Sequence, residues 1–222
     1  ETIPLKPGSG TLPIPGTVIS VVDEFGTEVP PNTKGYLIIK NPWPGMLLTL
    51  WGDDEKYKTV YWSKYENCYY PGDYALKDDD GYLWLLGRAD DVLKIAGHRI
   101  GTAELESCIV SDNDVAESAV CGIPDDVKGE VIIAYVVLKN GITTDKNILE
   151  KNLYYKIRND VGAIATPKEI YFVSKLPKTR SGKIMRRLLK SIANGETIGD
   201  TSTLDDVSAV TEIQNIVKRK TK

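Results

Sequence analysis

The basic run Lys175–Lys190 holds seven Lys or Arg and no acid, and it opens on Pro177-Lys178-Thr179-Arg180-Ser181-Gly182-Lys183. Gly182 frees the backbone where the residue spacing predicts that a helix begins, so Lys183 is expected to project from the first helical turn. A cation at that end faces the positive pole of the helix dipole and works against stability. A residue that breaks a local rule is a candidate for functional use; the alternative is a solvated helix face. The run is not a Walker A loop, because Pro177 stands where that loop needs glycine and Ile184 where it needs Ser or Thr. A second group is Tyr70-Pro71-Gly72-Asp73 with Gly87-Arg88-Ala89-Asp90-Asp91 fifteen residues on. Asp73 follows a Pro-Gly turn and Arg88 ends the expected hairpin partner, so the two side chains can meet at one end of the hairpin. That meeting is either a structural ion pair or a carboxylate for ribose hydroxyls beside an arginine for a phosphate or hydroxyl. A third is Gly97-His98-Arg99-Ile100-Gly101, whose glycines allow close backbone approach to a ligand while Arg99 offers an anion contact. His98 reads as a surface loop residue.

These residues must be positioned by elements of two textures. Up to about residue 89 the chain is rich in Pro, Gly and aromatics. Val18–Val22, with a turn at Asp23–Gly26, and Gly35–Lys40 read as strands. Asp53–Trp62 reads as a short helix, and Asp73–Lys77 and Tyr82–Leu86 as a hairpin around the turn Asp78-Asp79-Asp80-Gly81. Beyond Asp91 strands and helices alternate. Val92–Ala96 leads into the glycine-flanked loop, then comes a helix Thr102–Val110 with Thr102 as its N-cap. Strands Val115–Ile123 and Val131–Leu138 precede a helix Asp145–Asn159 with Ile148, Leu149, Leu153 and Ile157 on one side. Strand Ile170–Val173 and a helix Ser181–Ala193, striped by Ile184, Met185, Leu188, Leu189 and Ile192, complete the pattern. A polar tail from Asn194 to Lys222 has room for a last short helix. The expected fold class is α+β: a small β-rich subdomain over 1–89, then a compact mixed α/β domain over 90–222.

Composition narrows the function classes. The 222 residues are 41% hydrophobic and 27% charged, ordinary for a globular protein. With 28 Lys or Arg against 31 Asp or Glu, the net charge of −3 gives no global attraction to nucleic acid or anionic membrane. No apolar run approaches the roughly 18–20 residues that span a bilayer. Cys68, Cys108 and Cys121 are odd in number and form no CxxC, which suits reduced thiols in a cytoplasmic protein. His98 is the only histidine, so sites needing two are excluded and no metal ligands are assigned. The chain opens on Glu1 rather than Met, as a piece of a longer polypeptide would.

Tyr70–Asp73, Gly87–Asp91, Gly97-His98-Arg99-Ile100-Gly101-Thr102-Ala103-Glu104 and Pro177–Arg187 occur in order and at fitting distances. As a set they resemble the C-terminal part of the AMP-forming acetyl-CoA synthetase family, within the acyl-adenylate-forming superfamily. The resemblance runs from Leu5-Lys6-Pro7-Gly8-Ser9 through Trp43-Pro44-Gly45 to Gly199-Asp200-Thr201-Ser202-Thr203-Leu204. It implies two half-reactions: a carboxylate and MgATP give acyl-AMP and pyrophosphate, then the CoA thiol displaces AMP. On that resemblance Asp73 and Arg88 bind the AMP ribose, Arg99 lies near the nucleotide, Gly97 lines the pantetheine channel and Arg158 meets the CoA nucleotide. Asp90 is the hinge, and Lys183 is both the adenylation lysine and an acetylation site. A lysine acetyltransferase and deacetylase are the implied protein partners, beside the enzyme's own N-terminal domain. The magnesium contacts, the phosphate loop and the acyl pocket belong upstream, so this piece alone is expected to be inactive. Acetate is the implied acid and propionate its competitor. Ala96 departs from the family's usual serine and is not carried over as a ligand.

Overall fold

The structure, a computed structural model, describes residues 3–199 and 201–220. The chain divides into two compact units, one through Asp90 and one from Asp91. In the first, β1 (Ile19–Val22), β2 (Gly35–Ile39), β3 (Asp73–Lys77) and β4 (Leu83–Arg88) form an antiparallel sheet in chain order. Alternation along the strands serves two cores. Val21, Leu37, Ala75 and Leu83 pack on one face, while Val22, Ile38 and Tyr65 pack on the other. Asp78 closes the β3–β4 turn by accepting the backbone N–H groups of Asp80 and Tyr82, at 3.1 and 2.9 Å. Helix α1 (Asp54–Tyr61) is capped by Asp53, whose carboxylate accepts from the Lys56 amide.

The second unit is built on a three-stranded sheet. β7 (Val115–Asp125) and β8 (Gly129–Leu138) are antiparallel, and β9 (Glu169–Val173) lies parallel to β8. The parallel return requires a crossover, supplied by α3 (Lys146–Asp160) and a short 3-10 turn, Ala163–Ala165. The sheet is buried on both faces. With Val120, Ile132, Val136 and Ile170 pack α3 and α2 (Thr102–Val110), and also the hairpin β5 (Leu93–Ile95)–β6 (His98–Ile100). With Ala119, Cys121, Ile133, Tyr135 and Tyr171 pack α4 (Arg186–Ala193) and α5 (Val207–Lys220). Among the described residues no helix is long and apolar enough to cross a membrane.

Several elements differ from the sequence expectation. The helix expected from Ser181 starts at Arg186, so Lys183 precedes it. Ile184 and Met185 still pack against the core of that helix, from the non-helical segment before it, which is why the stripe reads as longer than the helix. Thr102 is the first helical residue of α2 and is buried; Gly101 holds the cap position and makes no side-chain cap bond. The expected loop over His98–Ile100 is strand β6. Ile148 lies on the exposed side of α3. The last helix is not short: it has 14 residues and buries Ala209, Val210, Ile213 and Val217.

Candidate active site

In the first unit the hairpin register sets Asp73 directly opposite Arg88. Arg88 Nη1 lies 3.4 Å from Asp73 Oδ1, and Arg88 Nε lies 3.2 Å from Asp90 Oδ1. Nη1 also donates to the Pro71 carbonyl at 2.6 Å, and the Ala89 amide donates to the Gly72 carbonyl at 2.8 Å. Gly72 stands at φ 86°, and a Cβ there would overlap the Arg88 guanidinium. The Pro-Gly pair is therefore what lets the arginine fold back over the turn. Burial pushes the Asp73 carboxyl above its ordinary value, with Arg88 pulling the other way. The ion pair is long and the acid only partly compensated, so the carboxylate is open to a further donor such as a hydroxyl. Burial also raises the neighbouring Tyr70 phenol to about 12, which keeps it neutral. Lys64 stands over the rings of Tyr36 and Tyr70, at 3.6 and 4.3 Å from their centroids, and so braces the start of this turn.

Two turns of the second unit carry residues singled out from the sequence. Ala96 and Gly97 join β5 to β6 with φ of 46° and 82°, the two positive values of a type I′ hairpin. A Cβ on Gly97 would meet nothing within 4 Å, so the glycine answers the backbone angle and leaves its outer side clear. Arg99 lies on β6, opposite Lys94. The other turn carries Lys183. The Thr179 amide donates to the Lys183 carbonyl at 2.8 Å, the Gly182 amide to the Thr179 carbonyl at 2.8 Å, and the Lys183 amide to Thr179 Oγ1 at 3.1 Å. Lys178 and Ile184 then pair as a β-bridge. Lys183 is exposed at the end of this closed loop.

Directly after it, Arg186 opens α4. Its Nε and Nη2 donate to the two carboxylate oxygens of Glu106 at 2.9 and 2.6 Å, and Asp91 Oδ2 is 3.8 Å from Nη1. The Glu106 hydrogen bond holds the guanidinium pKa up, and the acid offsets a cation at the wrong end of a helix dipole. Nothing in the local sequence signals this pair, whose members are 80 residues apart.

The structure thus brings Asp73, Arg88 and Asp90 together and sets Gly97 and Arg99 on one hairpin. Lys183 stands on the turn before α4, and Arg158 is exposed in the last turn of α3. Asp200, within the Gly199–Leu204 stretch, lies outside the described residues.

Residues 104–183 match the AMP-binding enzyme C-terminal domain. That stretch is similar to the C-terminal domain of AMP-binding enzymes. The chain is 58% identical over 210 residues to an acetyl-coenzyme A synthetase of Pyrobaculum arsenaticum, covering 95% of this chain and 31% of that protein. It is 46% identical over 219 residues to a 3-hydroxypropionyl-coenzyme A synthetase of Metallosphaera sedula, covering 97% of this chain and 33% of that one. Among solved structures, acetoacetyl-CoA synthetase from Streptomyces lividans superposes with a TM-score of 0.84 at 22% identity, over 96% of this chain and 32% of that one. The last likeness is one of fold. The chain spans about a third of the length of the curated relatives it matches.

Proposed function

We propose that this chain is the C-terminal part of an AMP-forming acid–thiol ligase that makes acetyl-CoA from acetate, ATP and CoA. The observation that carries the reading is the self-closed turn presenting Lys183, in a chain so close to acetyl-coenzyme A synthetases along nearly all its length. In the first step an acetate oxygen attacks the α-phosphorus of ATP. The bond from that phosphorus to the bridging oxygen breaks, and pyrophosphate leaves. Negative charge gathers between carboxylate and phosphate, and the Lys183 ammonium, held on a braced turn, offsets it without reorganising. Asp73 accepts from the ribose hydroxyls, with Arg88 beside it and Arg99 near the nucleotide. In the second step the CoA sulfur attacks the acyl carbon, the thiol proton is lost and AMP departs. Gly97 leaves room for the pantetheine arm, and Arg158 meets the CoA nucleotide.

Lys183 serves the first step and leaves for the second, and in this reading the second unit turns about Asp90 between them. ATP arrives as its magnesium complex. Its metal contacts are expected mainly in the upstream part of the enzyme; among the described residues no three His, Cys, Asp or Glu converge. The reading includes a cytoplasmic location, where ATP and CoA are at hand. Acid choice lies in a pocket these residues do not form, and propionate is the competing substrate. A nucleic-acid role for the basic run is disfavoured: Lys175, Lys178, Arg186 and Lys190 of that run are paired to acids of this chain.

The test is Lys183→Ala in the longer enzyme. Pyrophosphate release should fall by at least ~10²–10³-fold, the scale for losing one preorganised charge. Thioester formation from supplied acetyl-AMP should stay near wild type. Treatment with a lysine acetyltransferase should reproduce the same split, because acetylation removes the same charge. Equal loss in both half-reactions would make Lys183 a structural residue.

A further inference from the structure

The Ala96–Gly97 turn has little of its own to hold it. β5 and β6 contribute three residues each, and a hairpin of that size is not stable alone. Ala96 adds strain, because its φ of 46° lies where a Cβ is unwelcome. The support comes from β8 and the residue before it. The Ala96 amide donates to the Lys128 carbonyl at 2.8 Å. The Lys94 amide, on the edge of β5 away from β6, donates to Glu130 Oε2 at 2.7 Å.

Glu130 is placed for this contact. It stands near the start of β8, opposite Pro124, and its side chain keeps 23% exposure. It passes Gly122 of β7, where a Cβ would come within 2.9 Å of Leu93 Cδ2 and 3.1 Å of Glu130 Cδ. Gly122 therefore leaves the space through which β5 and the Glu130 carboxylate approach each other. The second oxygen, Oε1, is 3.6 Å from Lys190 Nζ on α4. A carboxylate on a backbone N–H is a charge-assisted hydrogen bond, stronger than a neutral one. Without it the outer edge of β5 would lack this acceptor.

We propose that Glu130 is a positioning residue for the thioester-forming step: its carboxylate fixes the Lys94 amide and so the height of the hairpin tip that bears Gly97 and Arg99. The inference rests on the functional reading above, in which this tip lines the path of the CoA thiol. Glu130 touches neither Lys183 nor Thr179 and is not needed for adenylation.

The experiment compares Glu130→Met, Glu130→Gln and Glu130→Asp in the longer enzyme, each assayed for pyrophosphate release and for thioester formation from supplied acetyl-AMP. Met fills the space but accepts no hydrogen bond. It should lower the thioester step by roughly 10–100-fold, the worth of a bond to a charged group, and leave pyrophosphate release within about twofold. Gln keeps an acceptor oxygen and should stay within about threefold of wild type in both steps. Asp keeps the charge and the fold but falls short of the amide by one methylene, and it should lose several-fold in the thioester step alone. Hydrogen exchange at the Lys94 amide should accelerate in the Met and Asp variants and remain slow in Gln. Equal losses in both steps, or a Gln variant as impaired as Met, or a wild-type Asp variant, would each overturn the proposal. Should Met prevent folding, Asp and Gln still decide it. If the wild-type enzyme makes no thioester from acetyl-AMP and CoA, the functional reading fails instead, while the Lys94 exchange pattern reports on the contact by itself.

Discussion

Two of the second unit's turns with glycine at positive φ, those of Gly97 and Gly182, are held in different ways. The Thr179–Lys183 turn is closed mainly from within: two backbone hydrogen bonds and the Thr179 hydroxyl tie its ends together, and one outside bond runs from the Arg180 amide to the Thr203 carbonyl of the same unit at 3.2 Å. The Ala96–Gly97 turn is tied from outside, by the Lys128 carbonyl and the Glu130 carboxylate. A turn closed within its own unit keeps its shape wherever the unit goes, which under the proposed function suits a lysine that enters and leaves a reaction centre intact. An externally tied turn takes its position from the sheet, which under the proposed function suits a wall at a set distance from a passing thiol. The two devices predict different responses to mutation.

The largest expected effect comes from filling the space at Gly122. Gly122→Val pushes a branched side chain into Leu93 and Glu130, and Leu93 is buried in the core with nowhere to retreat. Overpacking of this kind costs about 1–3 kcal/mol. Denaturant unfolding should show that loss, and thioester formation should fall further than pyrophosphate release because β5 is displaced and the Lys183 turn is not. A variant as stable as wild type would mean that the hairpin does not pack where Gly122 makes room for it.

The same contrast governs what the amino-acid sequence reveals. The Asp73–Arg88 meeting is half legible: turn chemistry at Asp78–Gly81 fixes the start of the hairpin, but that register alone would set Asp73 opposite Gly87, and a bulge between Tyr74 and Ala75 shifts it by one residue to Arg88. The Lys183 turn is half legible. Its Ser-Gly composition marks a turn, but Ile184 and Met185 extend the apolar stripe backwards, so periodicity places the helix start five residues early. The stripe reports burial in a shared core, and extended residues reach that core as well as helical ones do. Strand β6 has three residues, too few for any period to show. Helix α5 hides four buried positions within a polar stretch ending in Lys218, Arg219 and Lys220. Glu106 with Arg186, and Glu130 with the Lys94 amide, join residues 80 and 36 apart through tertiary approach, and no local pattern encodes either.

A smaller effect tests the self-closed turn. Thr179→Val keeps the side-chain shape and removes the hydroxyl that accepts from the Lys183 amide. Two backbone bonds remain, so the turn should persist while its tip loosens. The cost should be about 0.5–1.5 kcal/mol, the net worth of one hydrogen bond. Faster exchange at the Lys183 amide should accompany it, with a several-fold drop in pyrophosphate release and no change in the thioester step. If the thioester step fell in parallel, the two turns would not be independent and the contrast between them would be lost.

The smallest effect has the opposite sign. Ala96 occupies a left-handed position that costs a residue with Cβ roughly 1–2 kcal/mol relative to glycine. Glycine removes that cost but frees the unfolded chain, a loss of about 0.4–1 kcal/mol. Ala96→Gly should therefore stabilise the unit slightly, by about 0.5 kcal/mol, seen as a raised denaturation midpoint. The gain is available only because the turn is anchored elsewhere. The hydrogen bond from its amide to the Lys128 carbonyl and the Glu130 contact do not depend on the Ala96 side chain, so relaxing φ leaves the tip in place and both half-reactions near wild type. A Gly-Gly turn that instead slowed the thioester step would show that the alanine itself stiffens the tip, and that Lys128 and Glu130 supply less of the support than their two hydrogen bonds suggest. A lowered midpoint would count against the strain assigned to Ala96.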